Sequence, residues 1–170
     1  MRTILCVLLV VAMAFSTAVR SPAQADALTI DTILGAHEWL NATPTANLVR
    51  GKVVIVDFYT FGCINCQNIE PNLRALYRKV SRNDLIILGV HSPETAVERD
   101  RDNVIASLKE QGVVWPVAID NDFKLWNLCG ISAWPTQLIF DRAGALRHTV
   151  VGDSQDQVVD DTVQQLLKEK

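Results

Sequence analysis

Val53 to Tyr59 reads Val-Val-Ile-Val-Asp-Phe-Tyr, a nearly unbroken β-branched and apolar run holding a single charge. A strand without polar alternation has no water-facing side, so helices must cover it on both faces. Leu85–His91 repeats the pattern. Between the two runs, Ile69, Leu73, Leu76, Tyr77 and Val80 recur at helical spacing within residues 65–80. Val97, Val104, Ile105 and Leu108 mark a second helix ending near Gly112. Val117–Ile119 is too short to assign from pattern alone. Gln137–Phe140 reads as a strand, Asp141–Gly144 as a turn, and Leu146–Val151 as the hairpin partner. Val159, Val163, Leu166 and Leu167 predict a closing amphipathic helix. Strand–helix–strand–helix at the front implies right-handed parallel crossovers, and the hairpin adds an antiparallel edge. The expected fold class is therefore α/β, a mixed central β-sheet flanked by helices on both faces.

The 170 residues carry no internal repeat or low-complexity tract, and their length predicts one domain with a substantial core. Lys+Arg 16 against Asp+Glu 19 gives a net charge of −3, with no basic run, which argues against nucleic acid as a partner. Residues 1–25 have a different character. Arg2 precedes an apolar run from Ile4 to Phe15, followed by small and polar residues ending in Ala23-Gln24-Ala25. That order predicts a secretory signal peptide, and the run is shorter than the ~20 residues of a membrane helix. An uncleaved anchor flanked by Arg20 is the alternative. Cys6 lies within the apolar run, without the small residues that precede a lipidated cysteine, and is expected to leave with the signal. The expected organisation is a signal over 1–25 and one domain over 26–170, opening on a loosely structured lead that includes the turn-rich stretch 41–45. Export places the chain, periplasmic or secreted, where disulfides form and persist.

Three cysteines then remain, Cys63, Cys66 and Cys129. Cys63-Ile-Asn-Cys66 follows directly on the first buried strand and opens the first helix. Unpaired N–H groups and the positive end of the helix dipole favour an anion there. The thiolate is the attacking species in disulfide exchange, so Cys63 is the expected nucleophile, and Cys66, one turn on, the expected resolving thiol. A structural zinc site would need about four ligands, and His37, His91 and His148 lie at no ligand spacing. An inert disulfide closing so short a loop would stabilise little. No metal is expected. Asp57 sits in the otherwise uncharged strand, where a carboxylate is costly without work or a partner. It is a candidate for relaying the Cys66 proton; the alternative is a strand-end acid satisfied by water or a backbone donor. Trp134-Pro135-Thr136 stands where a strand begins, a place in which cis X–Pro bonds occur.

Together these features resemble the thioredoxin superfamily: Val53–Tyr59 with Asp57, Cys63-Ile-Asn-Cys66, Pro71, and Trp134-Pro135-Thr136. Further stretches resemble the exported thioredoxin-like domain of DipZ-type thiol–disulfide interchange proteins within the TlpA-like group. They are Glu38–Asn41, Leu48–Lys52, Val90–Glu94, Glu98-Arg99, Pro116–Asp122 and Leu125-Trp126. The resemblance implies a redox-active Cys63–Cys66 disulfide, Asp57 as the buried acid, and Pro135 as a cis-proline beside it. Neighbours of that proline, Trp134 and Thr136 included, would meet an incoming peptide as an added strand. It implies no cofactor, protein disulfides as substrates, and a membrane electron donor of the DsbD/CcdA type, met by diffusion since DipZ-type domains are fused to theirs. A monomer is expected. Glu70 lies four residues after Cys66, not the three at which some TlpA-like reductases carry a glutamate, and receives no role. Trp134 either shapes access to the dithiol or is ordinary core. Cys129 is expected to pack inertly, with a regulatory or intermolecular disulfide as the alternative, and His91 to be a satisfied structural histidine. Competing functions are a thiol oxidase or isomerase of the same fold and, in another class, a copper(I)-handling module on Cys63, Cys66 and His91.

Overall fold

The computed structural model describes residues 28–169; the stretch read as a signal peptide, with Arg2, Cys6 and Arg20, lies outside the described residues. Six strands form one sheet: β1 (Trp39–Leu40), β2 (Val53–Tyr59), β3 (Leu85–His91), β4 (Val117–Ile119), β5 (Thr136–Phe140) and β6 (Leu146–Val151). Their order is β1-β4-β3-β2-β5-β6. β2 runs parallel to β3, and β3 to β4, while the β1–β4, β2–β5 and β5–β6 pairs are antiparallel. The sheet is mixed, as the run of sequence patterns requires.

Period-two alternation along the central strands separates two cores. Val53, Ile55 and Tyr59 of β2 pack with Ile69, Leu73 and Leu76 of α3 (Ile64–Lys79), Val104 and Leu108 of α4 (Arg101–Gln111), and Val159, Val163 and Leu166 of α6 (Asp156–Lys168). Val54, Val56 and Phe58 face the other way. They meet Ile30 and Ile33 of α1 (Ile30–Leu34), Val49 of α2 (Ala46–Val49) and Leu125 of α5 (Lys124–Leu128). All seven residues of β2 and all seven of β3 are buried.

Two regions depart from the sequence reading. The lead before β2 is ordered, because α1 buries Ile30 and Ile33 and β1 buries Leu40. The Asn41 side chain holds it from a distance, donating to the carbonyls of Val113 and Trp115 at 3.1 and 2.8 Å. The helix expected from Val97 splits in two: a 3₁₀ turn over Val97–Arg99, then α4. Asp100 makes the break, its carboxylate accepting the N–H groups of Asp102 and Asn103 as an N-cap. Gly112 ends α4 in the left-handed region, at φ 68°, where a glycine closes a helix without a Cβ clash. Among the described residues, no helix is long and apolar enough to cross a membrane.

Gly89 stands beside Asp57 in the β2–β3 register. A Cβ there would meet Val117 Cγ2 at 3.0 Å and Tyr59 Cε1 at 3.1 Å, so this core has no room for a side chain. Gly89→Val is expected to destabilise the fold by ~1–3 kcal/mol through overpacking. Urea denaturation measures it, and an unchanged midpoint would contradict the packing described.

Candidate active site

The chain leaves β2 at Tyr59, turns through Thr60, Phe61 and Gly62, and enters α3 with Cys63 as its N-cap. Cys63 Sγ accepts the Cys66 N–H at 3.3 Å, so sulfur takes the place of the usual capping oxygen. Both sulfurs are thiols. Cys63 is half-buried, Ile64 beside it is exposed, and Cys66 is only 3% exposed. One sulfur therefore faces solvent and the other the core. Burial pushes the Cys66 thiol up, the hydrogen bond with Cys63 adds to this, and the nearby Asp57 carboxylate adds further.

Asp57 lies on the α3 side of β2 and is buried, with its Oδ1 lacking a hydrogen-bond partner. Burial pushes its carboxyl up to about 8, and the negative charge of Glu70 reinforces the shift. Glu70 had no assigned role, yet its side chain turns inward from α3 and is buried. Burial lifts it to about 7 against the opposing pull of Arg74, its ion-pair partner one turn later. Arg74 is held in turn by the Gln111 carbonyl at 2.6 Å. Two acids that burial makes weaker than usual, Asp57 beside Cys66 and Glu70 beside Asp57, thus lie on this side of the sheet. Spacing from Cys66 alone did not reveal Glu70, because its inward rotation depends on Arg74 and α4.

The Trp134–Pro135 peptide is cis. The Pro135 carbonyl accepts from Gly152 N–H at 2.8 Å, whereas the backbone N–H and C=O of Trp134 have no main-chain partner among the described residues. The Trp134 indole donates to the Ser92 carbonyl at 3.0 Å and lies 4.4 Å from the Trp126 ring. It packs at the edge of the same core cluster as Cys63. Thr136 is buried, and its hydroxyl donates to the Ala133 carbonyl at 2.7 Å.

His91 is buried, stacked on Phe61 at 5.5 Å and 3.3 Å from the Thr60 hydroxyl. Burial pushes it down to about 4 against the attraction of Glu98, so it is neutral at ordinary pH. Cys129 belongs to the opposite core cluster, at the end of α5, and burial with the Asp120 charge lifts its thiol to about 11. Among the described residues, no group of three or more His, Cys, Asp or Glu side chains is placed to hold a metal ion.

The arrangement is a dithiol capping a helix beside a cis-proline loop, and a family model described as thioredoxin-like matches residues 51–146. The chain belongs to the thioredoxin-like family. It is 32% identical to Protein DipZ of Mycobacterium tuberculosis over 145 residues, covering 83% of this chain and 21% of that one. The chain therefore spans about a fifth of the DipZ protein it matches. Thiol-disulfide oxidoreductase YkuV of Bacillus subtilis is 25% identical over 138 residues, covering 81% of this chain and 93% of the relative. Among solved structures, a thiol-disulfide isomerase from Corynebacterium glutamicum superposes with a TM-score of 0.70 at 25% identity, over 79% of this chain and 94% of that one. These last two, each matched over more than nine-tenths of its own length, are named as a thiol–disulfide oxidoreductase and a thiol–disulfide isomerase.

Asp57 has a consequence for stability. The folded chain keeps it protonated up to about pH 8, whereas its unfolded value is near 3.8. The unfolded state therefore gains on the folded state as pH rises through this window, and the cost is complete above pH 8. Asp57→Asn, neutral throughout, is expected to match the wild type near pH 4 and to exceed its stability increasingly towards pH 8. Urea midpoints of the reduced proteins across that range test this. Parallel pH curves would contradict a buried, protonated Asp57.

Proposed function

We propose that this chain is an exported thiol–disulfide oxidoreductase that reduces protein disulfides through Cys63 and Cys66. The observation that carries the reading is the asymmetry of the dithiol: a half-exposed sulfur at a helix N-cap, and a buried one behind it, above a buried acid. Assignment of Cys63, Cys66 and Asp57 to catalysis, and of Trp134, Pro135 and Thr136 to client binding, belongs to this proposal. Export is supported by the signal-like order of residues 1–25.

In the first step Cys63, as thiolate, attacks one sulfur of a client disulfide. The Cys63–client bond forms, the client S–S bond breaks, and the second client sulfur leaves as thiolate and takes a proton. In the second step Asp57, in the fraction of molecules where it is ionised, accepts the proton of Cys66, and Cys66 attacks Cys63 Sγ. The Cys63–Cys66 disulfide forms, and the remaining client sulfur departs with a proton. Two electrons pass from the dithiol to the client, and no cofactor is needed. A dithiol donor at the membrane, as the DipZ likeness suggests, would restore the reduced form by the reverse exchange. The unpaired Trp134 backbone is suited to pairing with a client strand beside Cys63.

Cys63→Ser is expected to abolish insulin disulfide reduction, leaving at most a few per cent of wild-type activity; higher retained activity would reject the nucleophile. Cys66→Ser in a Cys129→Ala background should accumulate mixed disulfides on non-reducing gels that collapse with reductant. Adducts persisting after Cys63 is also removed would reject the mechanism. Direction is set by the potential of the couple. Titration against glutathione is expected near the ~−270 mV of thioredoxin, and a value near ~−120 mV would make the protein an oxidant.

A further inference from the structure

Glu98 belongs to none of the roles assigned above, yet it is 3% exposed in the short Val97–Arg99 turn. Its carboxylate joins two loops. Oε1 accepts the N–H of Gly62 at 3.0 Å, and Oε2 accepts the N–H groups of Glu94 and Thr95 at 2.8 and 2.6 Å. Burial raises this acid, but the Thr60 hydroxyl and the Thr95 and Gly62 donors outweigh it and hold the carboxyl below its ordinary value. Glu98 is therefore ionised, and these are charge-assisted bonds.

Gly62 is the residue immediately before Cys63. A Cβ on it would lie 2.6 Å from Glu98 Oε1, well inside contact distance. Its backbone does not occupy the left-handed region, so the turn itself would accept alanine. The glycine is there because the carboxylate is. Phe61, one residue earlier, is held by other groups, its carbonyl accepting from Gln67 and Gln111 side chains at 2.9 and 3.3 Å and its ring stacking on His91. Glu98 ties Gly62 to the loop after β3, beside the Thr60–His91 hydrogen bond, and through Ser92 that loop also carries the Trp134 indole.

We infer that Glu98 is a positioning residue for the redox dithiol: by holding Gly62 it sets the turn that places Cys63 at the N-cap, and thereby the balance between dithiol and disulfide. The physical reason is geometric. A disulfide accepts a narrow range of Cβ separations and torsions, whereas the dithiol needs Cys63 Sγ turned to the Cys66 N–H. The turn before Cys63 favours one arrangement over the other, and Glu98 fixes that turn. The inference rests on the reading that Cys63 and Cys66 cycle.

The test is the equilibrium constant of the Cys63/Cys66 couple against glutathione, read by alkylation and mass, in Gly62→Ala, Glu98→Ala, Glu98→Gln, Glu98→Asp and the double Gly62→Ala/Glu98→Ala. Gly62→Ala and Glu98→Ala are each expected to shift the constant about tenfold, ~30 mV for a two-electron couple. In the double variant the added methyl has room, so it should differ from Glu98→Ala by less than about twofold. Glu98→Gln keeps the reach and one acceptor oxygen but turns an amide donor towards a backbone N–H, so it is expected to fall between wild type and Glu98→Ala. Glu98→Asp keeps the charge but is one methylene short and should behave like Glu98→Ala. Gly62→Ala indistinguishable from wild type, additive single effects, or rescue by Asp and not Gln would each overturn the inference. If Glu98→Ala does not fold, Gly62→Ala decides alone, since it leaves the bonds to Glu94 and Thr95 in place. A wild-type protein whose couple does not titrate would overturn the exchange reading itself, which keeps the two failures distinct.

Discussion

Burial of β2 on both faces is the constraint from which the rest of the structure follows. With α3, α4 and α6 against one face and α1, α2 and α5 against the other, every side chain of Val53–Tyr59 is removed from water. That enclosure drives association of the layers through apolar area. It also imposes a condition on Asp57, which cannot reach solvent and whose Oδ1 finds no partner. The apolar sheet that stabilises the chain thus makes its one internal strand acid a weak acid, close in strength to groups that exchange protons at neutral pH. Tyr59 and His91 end the two parallel strands with one unpaired polar atom each, so three uncompensated groups, Asp57 included, lie on β2 and β3, while Arg82 and Asn121 carry the others among the described residues in separate loops. Natural chains concentrate such costs where chemistry uses them.

Loops after β2, β3 and β4 and the cis-proline loop are joined by polar contacts, not by apolar packing alone. Ser92 donates its N–H to Tyr59 and its hydroxyl to Asp120, while its carbonyl receives the Trp134 indole. Asp120 also accepts the N–H groups of Leu125 and Trp126 at the start of α5. Glu98 closes the set by holding Gly62. Four loops of different sequence position are therefore linked by hydrogen bonds around Cys63, the kind of support an oriented sulfur requires.

Elements that bury a continuous or strictly periodic apolar set were legible in the sequence. β2, β3, α3 and the β5–β6 hairpin fall within a residue or so of their expected bounds, and α6 contains the four residues that marked it, because period and burial coincide in them. β1 and α5 were not legible, being two and five residues long and stabilised from outside: Asn41 reaches Val113 and Trp115, and Asp120 caps α5. Cys63, Cys66 and Asp57 stood out since their spacing and their conflict with the surrounding run are local facts. Glu98 carried no such mark. Its partners are backbone N–H groups, one of them 36 residues away, and backbone donors leave no trace in residue identity except the bare Gly62.

The difference between the two cysteines has a further physical meaning. An exchange enzyme whose sulfurs were equally exposed would let a client, or a second thiol, attack either one, and mixed disulfides would form at both. Here Cys66 is closed off by α3 and the core, so its only reachable electrophile is Cys63 Sγ. Burial also weakens Cys66 as an acid, which keeps it silent until a neighbouring base takes its proton. Attack from outside is confined to Cys63, and release to Cys66. The order of the two steps then follows from which sulfur water and clients can reach.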